Sequence, residues 1–245
     1  MMNRITEGVK HLIIINVIVF IITFVLKMNI GNELALYFPE NGNFGFWQYL
    51  THMFVHGSPM HIIFNMYGLW AFGTPLEQMW GRNKFLFFYF SAGLGAGIIY
   101  TLANYYQFNS IQDQLVNIGM SSGQIQDLLI NGSYNESILQ NISTEKLTEI
   151  YSLYNTPAVG ASGAVYGVLV AFGMSFPNAK LALIFFPVPI AAKYFIPLII
   201  LGDLFFGVTK YSVGNIAHFA HIGGALIGLI IMLFWRNNQF KRWDK

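Results

Sequence analysis

Apolar runs of membrane-crossing length alternate with short polar breaks along most of the chain. Crossing a hydrocarbon core about 30 Å thick as a helix takes about 20 largely apolar residues, and the qualifying stretches are residues 11–27, 59–79, 85–106, 157–176, 190–208 and 214–235. The pattern predicts an all-α polytopic membrane protein. Between the first two spans, the stretch from Leu34 to Val55 carries Phe44, Phe46, Trp47 and Tyr49, residue types that settle at a membrane interface. The first loop, 28–58, is therefore expected to lie on the bilayer. Leu181 to Ile190 is apolar but short and holds Pro187 and Pro189, which predicts a loop or half-buried turn. The first span ends at Lys27 without a small-residue cleavage pattern and is expected to stay attached.

Residues 107–156 break the pattern. They hold five of the eleven acids and one of the thirteen bases, Lys146. Ile125, Leu128 and Leu129, then Leu147, Ile150 and Leu153, recur at helical spacing, which predicts short surface helices on a solvated insertion. The expected organisation is an N-terminal membrane part over 1–106, a polar extracytoplasmic insertion over 107–156, and a C-terminal membrane part with a short basic tail over 157–245.

Composition agrees with a membrane protein and narrows the chemistry. Apolar residues make up 55% and charged residues 10%, with a net charge of +2, which excludes a soluble enzyme, a disordered chain and a nucleic-acid partner. Without cysteine there is no thiolate nucleophile, disulfide or Cys-ligated metal. With the N-terminus inside, ten Lys and Arg residues fall on the inner face, including Arg4, Arg82, Lys180, Arg236, Lys241, Arg242 and Lys245, and three (Lys27, Lys146 and Lys210) fall outside. The positive-inside rule then puts both termini in the cytoplasm and the insertion outside. A bacterial plasma membrane is the expected location.

Polar groups inside spans are costly in hydrocarbon and are functional candidates. Asn65 is six residues past 59, Ser162 five past 157 and His221 seven past 214, in three spans running from outside to inside. At 1.5 Å per residue they share a layer roughly 8 to 10 Å below the outer boundary. His61 lies one turn above Asn65 on the same face. Gly163 and Gly167, Gly224 and Gly228, and Gly93 and Gly97 are each four apart, a spacing that lets helix backbones approach closely. A serine hydroxyl needs a base to take its proton, and imidazole suits that task at neutral pH. Ser162 and His221 are the candidates for such a pair, with the Ser162 amide, His61 and Asn65 as candidate oxyanion donors. Gly160 and Gly163 leave room for a substrate backbone beside the serine.

At these residues the chain resembles the rhomboid intramembrane serine proteases. The resemblance rests on Trp47 through His52, on His56, His61 and Asn65 in an H-x4-H-x3-N arrangement, on Glu77 with Gly81, on G-A-S-G from Gly160 to Gly163 with Tyr166, and on A-H-I-G-G from Ala220 to Gly224. It implies a six-transmembrane-helix bundle and a Ser162–His221 dyad without a third carboxylate. It also implies Tyr166 stacked on the histidine and substrates that are single transmembrane helices cut near their outer end. No cofactor or metal is implied. Access from lipid between the second and fifth helices is expected by analogy.

Two features depart from the family pattern. The family's first loop often carries a Trp-Arg pair where this chain has Trp47-Gln48, which puts loop anchoring in doubt, and the insertion enters next to the serine helix. His52 and His56 are expected to tie the first loop to the core by hydrogen bonds, and Glu77 to brace the inner end of the second helix. Asp203 is a candidate third triad member against which the resemblance argues, leaving an acid at the outer aqueous boundary of a tilted helix. His218 either lines the cavity or assists water. The N-x-S sequons at Asn131, Asn135 and Asn141 fit glycosylation and chance equally. The rival reading is a histidine-lined metal-ion transporter or metal-dependent intramembrane hydrolase built on His52, His56, His61, His218 and His221.

Overall fold

The computed structural model describes residues 5–183, 186–209 and 218–240. The start of the expected sixth span, 214–217, and the bases Arg4, Lys210, Lys241, Arg242 and Lys245 lie outside the described residues.

α1 (Glu7–Phe20) runs on through a π turn over Ile21–Val25, so one apolar rod covers the first expected span. Its start is capped from another helix. The Gly8 and Val9 amides donate to the Glu77 carboxylate at 2.7 and 2.8 Å, and the Thr6 hydroxyl donates to it at 2.6 Å. The carboxylate satisfies donors that a helix start leaves orphaned and sits at the positive end of the helix dipole. This corrects the expectation for Glu77, which braces the first helix instead of the inner end of its own.

The first loop folds as α2 (Ile30–Leu34), α3 (Gln48–Thr51) and a 3-10 turn over His52–Phe54. Next come α4 (Pro59–Gly68), a π turn over Leu69–Gly73 and α5 (Thr74–Trp80), which make one continuous rod. Ser58 caps its N-terminal end, its hydroxyl accepting from the His61 amide at 3.2 Å, with Pro59 at the first helical position.

α6 (Arg82–Asn117) is 36 residues long, roughly 54 Å at helical rise. The third span therefore does not stop at 106. Its C-terminal third becomes one wall of the insertion, and α7 (Ser122–Asn131), a 3-10 turn over Glu136–Gln140 and α8 (Thr144–Asn155) fold back onto it. Phe108, Ile111 and Leu115 of α6 pack with Ile125, Leu128, Leu147 and Ile150, and Phe38 of the first loop closes the cluster. The insertion thus owns a second hydrophobic core, which a purely solvated segment would lack.

Residues 157–161 precede α9 (Ser162–Ser175) as irregular chain held by an isolated bridge between Ala158 and Leu36. The helix starts five residues after the expected boundary and has 14 residues, roughly 21 Å, less than a full hydrocarbon thickness. Most of its residues are buried. β1 (Lys180–Leu183) and β2 (Phe186–Ala191) follow as an antiparallel hairpin with Lys180 opposite Ala191 and Leu181 opposite Ile190. A loop was the expectation there; a two-stranded hairpin tolerates Pro187 and Pro189 because every strand is an edge. α10 (Ala192–Val208) and α11 (His218–Phe240) complete the described chain.

α9 is wrapped by α6, α10 and α11. At its crossing with α11 the backbones touch: a Cβ on Gly224 would lie 1.8 Å from the Gly163 carbonyl oxygen, and one on Gly228 would lie 2.8 Å from the Gly167 Cα. Gly93 and Gly97 serve differently, receiving Met53 and His52 of the first loop. Glu7–Val25, Arg82–Asn117 and His218–Asn238 are long and apolar enough to cross a membrane, and Ser162–Ser175 is a shorter apolar helix. The architecture is an all-α membrane bundle carrying one β-hairpin among the described residues.

Candidate active site

The glycine crossing sets the geometry of the site. His221 stands three residues before Gly224, and Ser162 directly precedes Gly163, so backbone contact between the glycines brings the two side chains together. His221 Nε2 lies 2.9 Å from Ser162 Oγ. Ser162 is the first residue of α9, so its amide is one of the unpaired donors of a helix start. Equal offsets from span starts suggest a shared depth, but the serine helix begins five residues after the expected span start, at Ser162 itself.

Tyr166, one turn into α9, stacks on the His221 ring with centroids 4.2 Å apart and an interplanar angle of 12°. Its hydroxyl bonds the Asp203 carboxylate. Asp203 Oδ1 also accepts from His218 Nδ1 at 2.6 Å and His221 Nδ1 at 3.2 Å. The expectation that Asp203 faces an outer aqueous boundary is corrected: it is 9% exposed and turned inward. Its signal in the sequence was a lone acid in an apolar span; what the sequence lacked was any indication of which way α10 faces.

The segment leading to the serine is tied to the first loop. Leu36 and Ala158 exchange backbone hydrogen bonds at 2.9 and 2.8 Å, and the Gly160 amide donates to the His52 carbonyl at 2.9 Å. Gly160 has φ +120°, and a Cβ there would lie 2.6 Å from His61 Nε2. Both conformation and space therefore require glycine. Asn65 is buried, and its amide donates to the His61 carbonyl at 3.0 Å. His61 and Ser162 line the same cavity with Asn65.

The doubt raised by Gln48 is resolved by its contacts. It is 0% exposed, its Oε1 accepts from the Tyr37 amide at 3.2 Å, and its Nε2 donates to the carbonyls of Glu33 and Asn43 at 3.2 and 2.8 Å. This neutral amide, with both donor and acceptor, anchors the loop where an arginine could only donate. His52 ties the loop to the segment before α9 through its backbone carbonyl, which accepts from the Gly160 amide, while its ring Nδ1 bonds the Gln48 carbonyl within the loop at 2.7 Å; the expected side-chain tie to the core is corrected. His56 makes no such tie either: it is 2% exposed, and neither ring nitrogen makes a well-formed hydrogen bond beyond a weak contact with the Phe54 backbone. It packs edge-on to His61 at 5.0 Å. Burial pushes both imidazoles down, each to about 4.

The cavity above Ser162 has a volume of about 1520 Å³. Phe64 and Tyr67 of α4, Phe195 and Ile199 of α10, and Ser152 and Thr156 at the end of the insertion are among its lining residues. The histidines do not gather into one metal centre. Among the described residues, the only group with ligand-like atoms close together is Asp203, His218 and His221, within 4.8 Å, and both imidazole Nδ1 atoms there are already bonded to the carboxylate.

Comparison with known proteins adds a family. Residues 43–238 match the family model described as the Rhomboid domain. The chain is 27% identical over 179 residues to Rhomboid protein 1, mitochondrial, of Saccharomyces cerevisiae, covering 72% of this chain and 38% of that protein. It is 26% identical over 196 residues to the presenilin-associated rhomboid-like protein, mitochondrial, of Rattus norvegicus, covering 78% and 40%. It is 26% identical over 192 residues to RHOMBOID-like protein 12, mitochondrial, of Arabidopsis thaliana, covering 78% and 47%. The chain thus spans less than half the length of these relatives. Their names place those proteins in mitochondria and lend no support to a bacterial plasma membrane for this one.

Proposed function

This chain belongs to the rhomboid family, and on that premise we propose that it is an intramembrane serine endopeptidase acting on transmembrane segments of membrane proteins. The observation that carries the reading is the 2.9 Å contact between Ser162 Oγ and His221 Nε2 at the base of a cavity lined by α4 and α10. In this reading six spans cross the bilayer with both termini cytoplasmic, and 107–156 lies on the outer side.

The substrate helix approaches from lipid between α4 and α10. A stable helix keeps its carbonyls in its own hydrogen bonds, so only a segment that unwinds presents an extended backbone to the serine. His221 Nε2 takes the Ser162 proton as Oγ attacks the scissile carbonyl carbon. Negative charge develops on the carbonyl oxygen, where the Ser162 amide, His61 and Asn65 act as donors. The Tyr166 ring limits rotation of the imidazole. The proton then passes to the leaving amine, and a water entering the cavity hydrolyses the acyl-enzyme. Gly160, without a Cβ, leaves the His61 edge open to the substrate.

The test is co-expression with a panel of single-span reporters. Ser162→Ala and His221→Ala should each abolish cleavage while the protein stays folded, and chelators should have no effect. Cleavage by Ser162→Ala at the wild-type rate, together with loss of activity to chelators, would overturn the serine reading in favour of a metal.

A further inference from the structure

Asp203 is a polar group that the nucleophile, the base and the oxyanion donors leave unused. It stands within α10, an apolar helix, and is nearly enclosed. A carboxylate in such surroundings persists only when its oxygens are well bonded. Both are: Oδ1 accepts from His218 Nδ1 at 2.6 Å and from His221 Nδ1 at 3.2 Å, and Oδ2 accepts from the Tyr166 hydroxyl.

An ionised carboxylate can only accept. The His221 Nδ1 facing it must therefore carry the ring proton, which leaves Nε2 bare toward Ser162 Oγ, 2.9 Å away. That is the tautomer a general base requires. The same carboxylate holds the hydroxyl of Tyr166, whose ring covers one face of the imidazole, so it restrains His221 along an edge and, through the tyrosine, across a face. His218 supplies a second imidazole donor that keeps the carboxylate in place.

We infer that Asp203 is a positioning residue for proton transfer: from α10 it holds His221 as the Nδ1–H tautomer and stabilises the imidazolium formed when Nε2 takes the serine proton. The dyad implied by resemblance is in this chain backed by a carboxylate. In the acylation step the Oγ–H bond breaks, the Oγ–carbon bond forms and the proton moves to Nε2. Asp203 stays ionised throughout, and the proton leaves on the departing amine. The inference rests on the hydrolytic reading of the site.

The full chain in detergent micelles, assayed with a cleavable transmembrane reporter, tests it. Asp203→Asn keeps shape but offers an NH2 group that can face Nδ1 and favour the wrong tautomer. It should lower kcat by roughly 10²- to 10⁴-fold with KM and melting temperature little changed, whereas a brace between helices would move the melting temperature instead. Tyr166→Phe, which keeps the stack and releases the carboxylate, should cost less. Because Asp203→Asn could fail to fold, ¹⁵N-histidine NMR of the wild-type chain provides an independent readout. His221 should show a protonated Nδ1 and a bare Nε2. A folded Asp203→Asn enzyme with wild-type kcat, or His221 protonated at Nε2 in the resting enzyme, would overturn the inference. Cleavage by Ser162→Ala would instead sink the hydrolytic reading, and it leaves the tautomer measurement standing.

Discussion

Two regions of the molecule, the α9–α11 crossing within the larger core and the separate core of the insertion, are packed by opposite means. Where α9 crosses α11, side chains are removed: Gly163, Gly167, Gly224 and Gly228 bring backbone against backbone. In the insertion, side chains are enlarged: Phe38, Phe108, Leu115 and Leu128 fill the space between elements. The difference follows from the solvent each core must exclude. Between helices in lipid, burying apolar surface gains nothing over leaving it in acyl chains, so close van der Waals approach must hold them. A core bordered by polar, water-facing helices gains from burying large apolar side chains. The serine and histidine sit on the first kind of core, where there is little slack to misplace them.

Breaking the glycine crossing should have the largest effect. Gly224→Val drives a side chain into the Gly163 carbonyl and should reduce reporter cleavage by about 10²-fold or more, since misplacement of about 1 Å costs that much. Near wild-type cleavage would show that the crossing does not set the site. Leu128→Ala attacks the other core. It is buried there and should lose roughly 2–5 kcal/mol of local stability, read by hydrogen exchange or limited proteolysis confined to 107–155, while cleavage of reporters falls far less. If its cleavage collapsed as in Gly224→Val, the two cores would be one cooperative unit.

Gln48→Ala tests the loop that bridges them. Loss of its bonds to Tyr37, Glu33 and Asn43 should cost about 1–3 kcal/mol in thermal unfolding, and Gln48→Glu, which sets a buried carboxylate oxygen against the Glu33 and Asn43 carbonyls, should cost more. The smallest effect is that of acid. Folded His52 and His56 resist protonation down to about 4, while their unfolded counterparts take up protons near 6.5. Stability is therefore fully present above pH 6.5 and declines as the pH falls from 6.5 toward 4. His56→Gln should flatten that decline in a melting-temperature profile; an unchanged slope would mean other groups carry it.

Much of this was legible in the chain. Six apolar runs announced the membrane bundle, and glycines at four-residue spacing together with Ser162, His221, His61 and Asn65 pointed to a submerged site. The helical spacing of Ile125, Leu128, Leu147 and Ile150 was visible too, but periodicity cannot say whether such a stripe meets water, lipid or a partner. Their partner proved to be the C-terminal third of α6 and Phe38, distant in sequence. The hairpin of β1 and β2 was missed because two prolines speak against a strand only when both its sides must be paired. Gln48 was misjudged because the value of a neutral amide depends on whether three backbone groups happen to surround it.

The sequence by itself determined the membrane character and the class of fold, and it nominated Ser162 and His221, because these depend on local runs, residue types and spacing. Only the tertiary structure decided that α9 begins at the serine, that Glu77 caps a different helix, and that Asp203 faces His221. Each of those depends on the rotation and axial offset of one helix against another. Packing at the glycine crossing and backbone pairing with the first loop set those quantities, and no local property of the chain encodes them.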